Sequence, residues 1–94
     1  MTYPELSEHE RDLITNLVEG RVEAVFRWGV IVDLGLSRVG LIDALYIDDH
    51  DNYSVGDTVA AYLDAFDEQK QKFILRPPDQ EPLSERLKRK GFDV

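Results

Sequence analysis

Two parts of the chain carry side chains that could ligate a metal or transfer a proton. The run Asp48-Asp49-His50-Asp51 offers carboxylate and imidazole groups of the kind that hold divalent cations. Its residues follow one another directly, whereas the ligands of calcium-binding loops are spaced, so we interpret it as an acidic loop that keeps the domain soluble. Neither His9 nor His50 has a serine or cysteine motif nearby, and the chain contains no glycine-rich phosphate loop. The sequence therefore predicts no enzyme, no metal site and no cofactor.

Trp28 is the residue whose type and position most need a binding explanation. It is the only tryptophan of the chain, and it stands directly before Gly29 in the segment RWGVIVDLG. A lone tryptophan in a small domain most often covers one end of the core. An indole on the surface can instead stack on a nucleobase, whatever the base, because every base has a π face. The residues alone leave both interpretations open.

The composition indicates one small globular domain with an acidic surface. The chain has 94 residues, of which 43% are hydrophobic and 32% charged, and its formal net charge is −8. This charge opposes the binding of phosphates, which depends largely on lysine and arginine. The absence of cysteine excludes disulfides and thiolate zinc sites. Because the N-terminus shows no apolar leader and no run of eighteen apolar residues occurs, we expect a cytoplasmic protein that does not span a membrane.

The first twenty residues have the pattern of an amphipathic helix. Ser7 and Glu10 have the spacing of a capping box. Leucine, isoleucine and valine then recur at helical period through Val18. We therefore predict a helix over residues 8–18 that packs on the domain. After Pro77-Pro78, the stretch that runs from Pro82 to Gly91 predicts a short, basic C-terminal helix.

The region between these two helices has the pattern of short strands. β-Branched and aromatic residues indicate strands that begin near Gly20 and continue on both sides of Gly29, which we interpret as a bulge or sharp bend. Further strands are predicted at residues 40–42, 58–66 and 72–76, with a loop over residues 46–57. Five short strands favour a closed or nearly closed barrel, since closure removes exposed edges. The pattern does not decide between a five-stranded OB barrel and an SH3-like one.

The order of several short motifs resembles the S1 RNA-binding domain, an OB-fold barrel. The resemblance covers about residues 18–76 and rests on Gly20-x-Val22, Trp28-Gly29-Val30-Ile31-Val32-Asp33-Leu34, Gly40-Leu41-Ile42, Val55-Gly56-Asp57 and Asp67. It implies a mainly β, five-stranded OB-fold barrel with an N-terminal amphipathic helix and a short C-terminal helix. The implied organisation is a helical extension at 1–18, an S1-like domain at 19–76, and a proline-containing linker with a basic helix at 77–94.

The resemblance also implies a face that binds single-stranded RNA. The family stacks bases on two aromatics, and their positions here are Trp28 and Ile31. Asp43 stands where the family tends to have a histidine, whereas Asp67 and Lys72 match its pattern. The candidate RNA-binding residues are therefore Trp28, Ile31, Asp43, Asp67 and Lys72, with Arg27 and Arg76 as further phosphate contacts and Arg21 or Arg38 at the margin. The loss of an aromatic at Ile31 and the added charge at Asp43 predict weaker binding than is usual for the family.

Two functions follow from these features. The first is non-catalytic, sequence-tolerant binding of single-stranded RNA, of weak to moderate affinity, with RNA or a ribonucleoprotein as the partner. The alternative is an acidic protein-interaction module that docks through its surface and its N-terminal helix on a ribosomal, transcription or RNA-processing partner. The net charge of −8 favours the second, while Trp28 and Lys72 favour the first.

Overall fold

The computed structural model describes residues 6–48 and 51–80, and these residues fold as one short helix followed by five strands. The elements are α1 (Glu8–Leu13), β1 (Leu17–Phe26), β2 (Gly29–Asp33), β3 (Gly40–Asp43), a 3₁₀ turn (Ala44–Tyr46), β4 (Thr58–Asp67) and β5 (Lys72–Arg76). The strands follow one another in the order β1-β2-β3-β5-β4, and the sheet closes on itself as a barrel. The predicted C-terminal helix lies outside the described residues.

All neighbouring strands run antiparallel except β3 and β5, which are parallel. The bounds of β5 are those predicted for the fifth strand, and the strand ends at Arg76 because a proline follows, whose nitrogen cannot donate to a ladder. Alternation along β5 points Phe73 and Leu75 inward, and both are fully buried. The described part is therefore mainly β and arranged as a ring of five strands.

The core fills the inside of this ring. It consists of inward-facing residues from all five strands, together with one aromatic from the 3₁₀ turn: Val22, Val30, Val32, Ile42, Tyr46, Ala61, Leu63, Phe73 and Leu75. β1 and β4 each contain a register shift, between Val22 and Ala24 and between Leu63 and Ala65. A bulge bends a strand and increases its twist, which allows these two ten-residue strands to curve around so small a core.

The N-terminal helix is shorter than predicted, because it ends at Leu13 instead of Val18. Thr15 has a left-handed φ of 81° and donates its backbone N–H to the carbonyl of Leu63, so the chain leaves the helix to join β4. Leu17 and Val18 already belong to β1. The prediction of one helix over residues 8–18 was therefore wrong. The apolar residues at helical spacing belong to two different elements, the end of α1 and the start of β1.

The capping box is confirmed, and it includes a buried carboxylate. Ser7 accepts from the backbone N–H of Glu10, and the Glu10 carboxylate accepts from the backbone N–H of Ser7 at 3.0 Å. Only 5% of Glu10 is exposed, and its second oxygen accepts from the hydroxyl of Ser37 at 2.6 Å and from the Ser37 backbone N–H at 2.8 Å. These hydrogen bonds lower the pKa of Glu10 to about 2, and the bond from the Ser37 hydroxyl has the largest effect. Glu10 therefore fastens α1 to the loop between β2 and β3.

Gly29 is the first residue of β2 and follows a two-residue turn at Arg27 and Trp28. A Cβ at this position would lie 2.5 Å from the backbone oxygen of Ile42 on β3. Glycine is thus required here because the backbones of β2 and β3 approach too closely for any side chain. The expected bend at Gly29 is confirmed, whereas the bulge of this hairpin lies further back, beside Ala24.

Candidate nucleic-acid interface

The tip of the β1–β2 hairpin carries two aromatic rings that stack on each other. The centroids of Phe26 and Trp28 are 4.7 Å apart, and the ring planes differ by only 6°. Both residues remain exposed, by 48% for Phe26 and 52% for Trp28. The backbone oxygen of Trp28 accepts from Ala44, so the turn is tied to the 3₁₀ turn beside it. Trp28 is therefore an ordered aromatic surface rather than a cover for the core.

An apolar row crosses the outer side of the sheet next to these rings. Ile31 pairs with Ala24 on one side and with Leu41 on the other, and Leu41 pairs with Ile74. Ile31 lies between two core residues of β2 and so points outward, yet it is only 8% exposed. Because so little of Ile31 reaches the surface, it can contribute flat apolar support but little area for stacking.

Asp43 lies at the same end of the sheet as the aromatic rings. It pairs with Gly29, and its carboxylate caps the 3₁₀ turn by accepting from the backbone N–H of Leu45 at 2.9 Å. This local role gives a structural reason for an aspartate where the family tends to have histidine. The cap fixes a negative charge near Trp28, and this charge opposes a phosphate at this end.

Asp67 and Lys72 lie at the other end of the same outer side. They face each other across β4 and β5. The Asp67 carboxylate accepts from the backbone N–H groups of Gln69 and Lys70, at 2.9 and 3.0 Å, so it closes the β4–β5 turn. The Lys72 ammonium donates to the backbone oxygen of Lys70 at 3.2 Å. Strand register places Lys72 about 13 Å along the strands and about 10 Å across them from Gly29.

A second cation joins Lys72 at this end. The guanidinium of Arg38, in the β2–β3 loop, donates to the side-chain oxygen of Gln71 at 3.0 Å. This hydrogen bond brings the loop against the turn that carries Lys70 and Lys72. We call Arg38, Lys70 and Lys72 the cationic end of the outer face, and Phe26 with Trp28 its aromatic end.

Arg76 and Arg27 differ in how available their charges are. The Arg76 guanidinium makes an ion pair of 2.9 Å with Asp64, lies 4.9 Å from the centre of the Tyr62 ring, and donates to the backbone oxygen of Gln80. Arg27 is exposed in the hairpin turn, and within the described parts of the chain it makes no hydrogen bond or ion pair. Arg27 can reach a phosphate without giving up a partner, whereas Arg76 cannot.

Two further aspartates of the S1-like motifs have local roles. Asp33 accepts from the backbone N–H of Gly35, and Asp57 accepts from that of Ser54, both at 2.9 Å. Asp57 therefore stabilises the turn before β4. Within residues 6–48 and 51–80, no three His, Asp or Glu side chains come together as metal ligands. The same residues include no helix with the length and hydropathy needed to cross a membrane.

Comparison with known families identifies the class of domain. The model of the S1 RNA-binding domain matches residues 14–76, about two thirds of the chain. The chain therefore belongs to the S1 RNA-binding domain family, an OB-fold family of nucleic-acid-binding modules. No curated protein matches the chain.

Solved structures agree with this assignment. The solution structure of GSP13 from Bacillus subtilis is 26% identical, with a TM-score of 0.57, and covers 86% of this chain and 71% of that one. An uncharacterised protein from Methanocaldococcus jannaschii, MJ1198, is 17% identical, with a TM-score of 0.60, over 72% of this chain and 95% of its own. A chain in the a/eIF2alpha–aDim2p–rRNA complex from Pyrococcus horikoshii OT3 is 15% identical, with a TM-score of 0.58, and the match covers 95% of this chain and 53% of that one. The similarity to MJ1198 and to the Pyrococcus chain shows the shared fold.

Phe26 was not among the residues predicted from the sequence to form this surface. The pattern indicated only that it belongs to a strand, although Phe-x-Trp-Gly places the two aromatics on either side of one residue. The available signal was this spacing, because two aromatics separated by one residue at a hairpin turn can bring their rings together.

Proposed function

We propose that this protein binds single-stranded RNA, without catalysis, across the outer face of its S1 domain. The observation that carries the proposal is the half-exposed aromatic stack at the hairpin tip. A ring held in place and open to solvent is a surface on which a base can stack, with roughly 1–3 kcal/mol of stabilisation per base. Stacking does not read base edges, so the expected binding is sequence-tolerant.

Little of the apolar row between the two ends is open to a strand. Ile31, Leu41 and Ile74 lie next to one another across β2, β3 and β5, but only 8% of Ile31 and 3% of Leu41 are exposed. The strand that we propose therefore makes its main contacts at the two ends of the face. It brings bases to Trp28 and phosphates to Lys72 and Arg38. Such a path fits the lower part of the range of about 4–16 nucleotides that one OB fold covers.

Charge limits the affinity. Arg27, Arg38 and Lys72 supply the phosphate contacts that we propose, while Arg76 is already engaged by Asp64. The chain as a whole carries a formal charge of −8. Phosphate contacts therefore form against a repulsive background, and we expect weak to moderate affinity that falls as salt rises.

The comparisons support this proposal at the level of the family. One structural neighbour belongs to a complex that contains rRNA, and the family is a nucleic-acid-binding module. We extend this to single-stranded RNA or a ribonucleoprotein as the partner and to a cytoplasmic location. The proposal also includes an S1-like domain that ends at residue 76, an N-terminal extension whose helix ends at Leu13, and a linker with a basic helix at 77–94.

The test uses Trp28 as its own reporter. Unstructured RNA oligomers of about four to ten nucleotides are titrated into the protein at low and moderate salt while tryptophan emission is followed, and complex formation is measured separately by mobility shift. We expect saturable quenching whose midpoint rises with salt. Trp28→Ala should lower the affinity from mobility shift by roughly fivefold to a hundredfold.

Leu17→Ala is the matched control. Leu17 is as exposed as Trp28, at 54%, but it pairs with Tyr62 where β1 meets β4, away from the hairpin tip. Its removal should leave RNA affinity unchanged. If Trp28→Ala binds RNA as tightly as the parent, or if neither protein binds RNA at low salt, the proposal is wrong. A stoichiometric protein partner would then favour docking through the acidic surface.

A further inference from the structure

We propose that Phe26 is a positioning residue for the RNA site: it holds the Trp28 ring and replaces, by a different route, the second aromatic that this chain lacks at Ile31. The claim that Phe26 serves RNA binding rests on the proposed function. The claim that Phe26 holds the Trp28 ring concerns the free protein and can be tested without RNA.

The geometry shows that Phe26 and Trp28 form one stacked unit. Their ring centroids are 4.7 Å apart, and the planes are nearly parallel. Carbon atoms in contact are about 3.5–4.0 Å apart, so a base between the rings would need a separation near 7 Å. A base therefore stacks on the outside of the pair, and the tip offers one platform two rings deep instead of two separate platforms.

The hairpin brings the two rings together. Phe26 pairs with Gly29, the first residue of β2, and Trp28 is the turn residue directly before that glycine. Phe26 therefore lies beside the turn that carries Trp28. Gly29 itself must be glycine for a separate reason, because its Cβ would meet the Ile42 oxygen on β3 at 2.5 Å.

Holding the ring matters because Trp28 lies on a two-residue turn with half of its surface exposed. An unsupported indole in such a turn would sample several rotamers, and binding would have to fix one of them. Aromatic pairs of this kind are worth about 0.5–1.5 kcal/mol beyond the area that they bury. With one side of the indole covered by Phe26, the ring presents its opposite side to a base in the free protein.

The variants are Phe26→Ala, Phe26→Tyr, Trp28→Ala and the double variant with alanine at both positions. In the free protein, Phe26→Ala should raise the quenching of Trp28 emission by acrylamide, while Phe26→Tyr should leave it at the parental value. Because Phe26 is half exposed, far-UV circular dichroism should remain that of the folded protein and the melting temperature should fall by only several degrees, which separates loss of the stack from unfolding.

With RNA of six nucleotides, Phe26→Ala should weaken binding by roughly three- to tenfold, and Phe26→Tyr should restore it. The double variant should bind no worse than Trp28→Ala alone, since Phe26 acts through Trp28. The inference is overturned if acrylamide quenching is unchanged in Phe26→Ala, or if the two alanine effects simply add, which would make Phe26 an independent platform. Failure of the parent protein to bind RNA would contradict the proposed function but leave the quenching result to decide the structural part.

Discussion

The two ends of the outer face are held in place by different kinds of interaction. At the aromatic end, backbone contacts hold the turn that carries Trp28: Gly29 lies against the oxygen of Ile42, and Ala44 donates to the oxygen of Trp28. At the cationic end, side chains hold the β2–β3 loop, through Glu10 with Ser37 and through Arg38 with Gln71. The aromatic end should therefore be rigid and insensitive to salt and pH. The cationic end should respond to both.

The largest effect that we expect comes from Gly29→Ala, measured against Gly40→Ala. A Cβ at Gly29 meets the backbone oxygen of Ile42, whereas one at Gly40, on β3 near the cationic end, meets the Cδ1 of Leu75, also at 2.5 Å. A side chain can shift where a paired backbone cannot. Urea unfolding should give a loss of about 3 kcal/mol for Gly29→Ala and about 1–2 kcal/mol for Gly40→Ala. Equal losses would contradict the claim that the backbone fixes the aromatic end.

Glu10→Gln should cost less and should affect the cationic end. The variant keeps the shape but loses charged hydrogen bonds to Ser37, so we expect a loss of about 1–2 kcal/mol in the free energy of unfolding at pH 7. The Ser37 amide should exchange faster with solvent in this variant, while the amide of Ala44, at the aromatic end, should not.

The pH dependence of the same variant has a definite sign. The pKa of Glu10 falls from 4.5 to about 2 in the folded protein. The ionised form is therefore stabilised by folding, and this contribution is complete above pH 4.5 and disappears as pH falls to about 2. The difference in unfolding free energy between the parent and Glu10→Gln should shrink across that window. A difference that stays constant from about pH 6 to about pH 2 would show that the carboxylate charge does not matter.

Salt separates the two ends in RNA binding. Arg38→Ala with Lys72→Ala should lower the slope of log affinity against log salt by about 0.7 for each phosphate that the variant no longer neutralises, with a modest decrease in affinity at low salt. Trp28→Ala should lower affinity at every salt concentration and leave the slope unchanged. The same titrations with Arg11→Ala, on α1 and away from the outer face, provide a control for the loss of one positive charge. A change of slope in Trp28→Ala would contradict this division of roles.

The smallest effect should come from Asp43→Asn. Asparagine can still cap the 3₁₀ turn through its side-chain oxygen, so stability should hold. Removing the negative charge beside Trp28 should raise RNA affinity by about twofold at low salt, and the gain should fade as salt is raised. An unchanged affinity at low salt would show that no phosphate passes near this residue.

Short-range patterns predicted much of this molecule, and the errors have identifiable causes. The bounds of β5 and the capping box at Ser7 depend on neighbours a few positions away, and both were confirmed. The helix over 8–18 was wrong because the hydrogen bond from Thr15 to Leu63 ends it, and Leu63 is distant in the chain. Residues that meet only through the closed sheet leave no local signal.

Motif order and residue type were enough to establish the family, the five strands and Trp28 as the candidate for stacking, because strand propensity and turn chemistry act locally. Three features of the site became visible only in the closed sheet. Ile31 is covered, Arg76 is engaged by Asp64, and Phe26 supports Trp28. Each of these depends on which strands are neighbours and in what register, and register is set by the packing of the whole sheet.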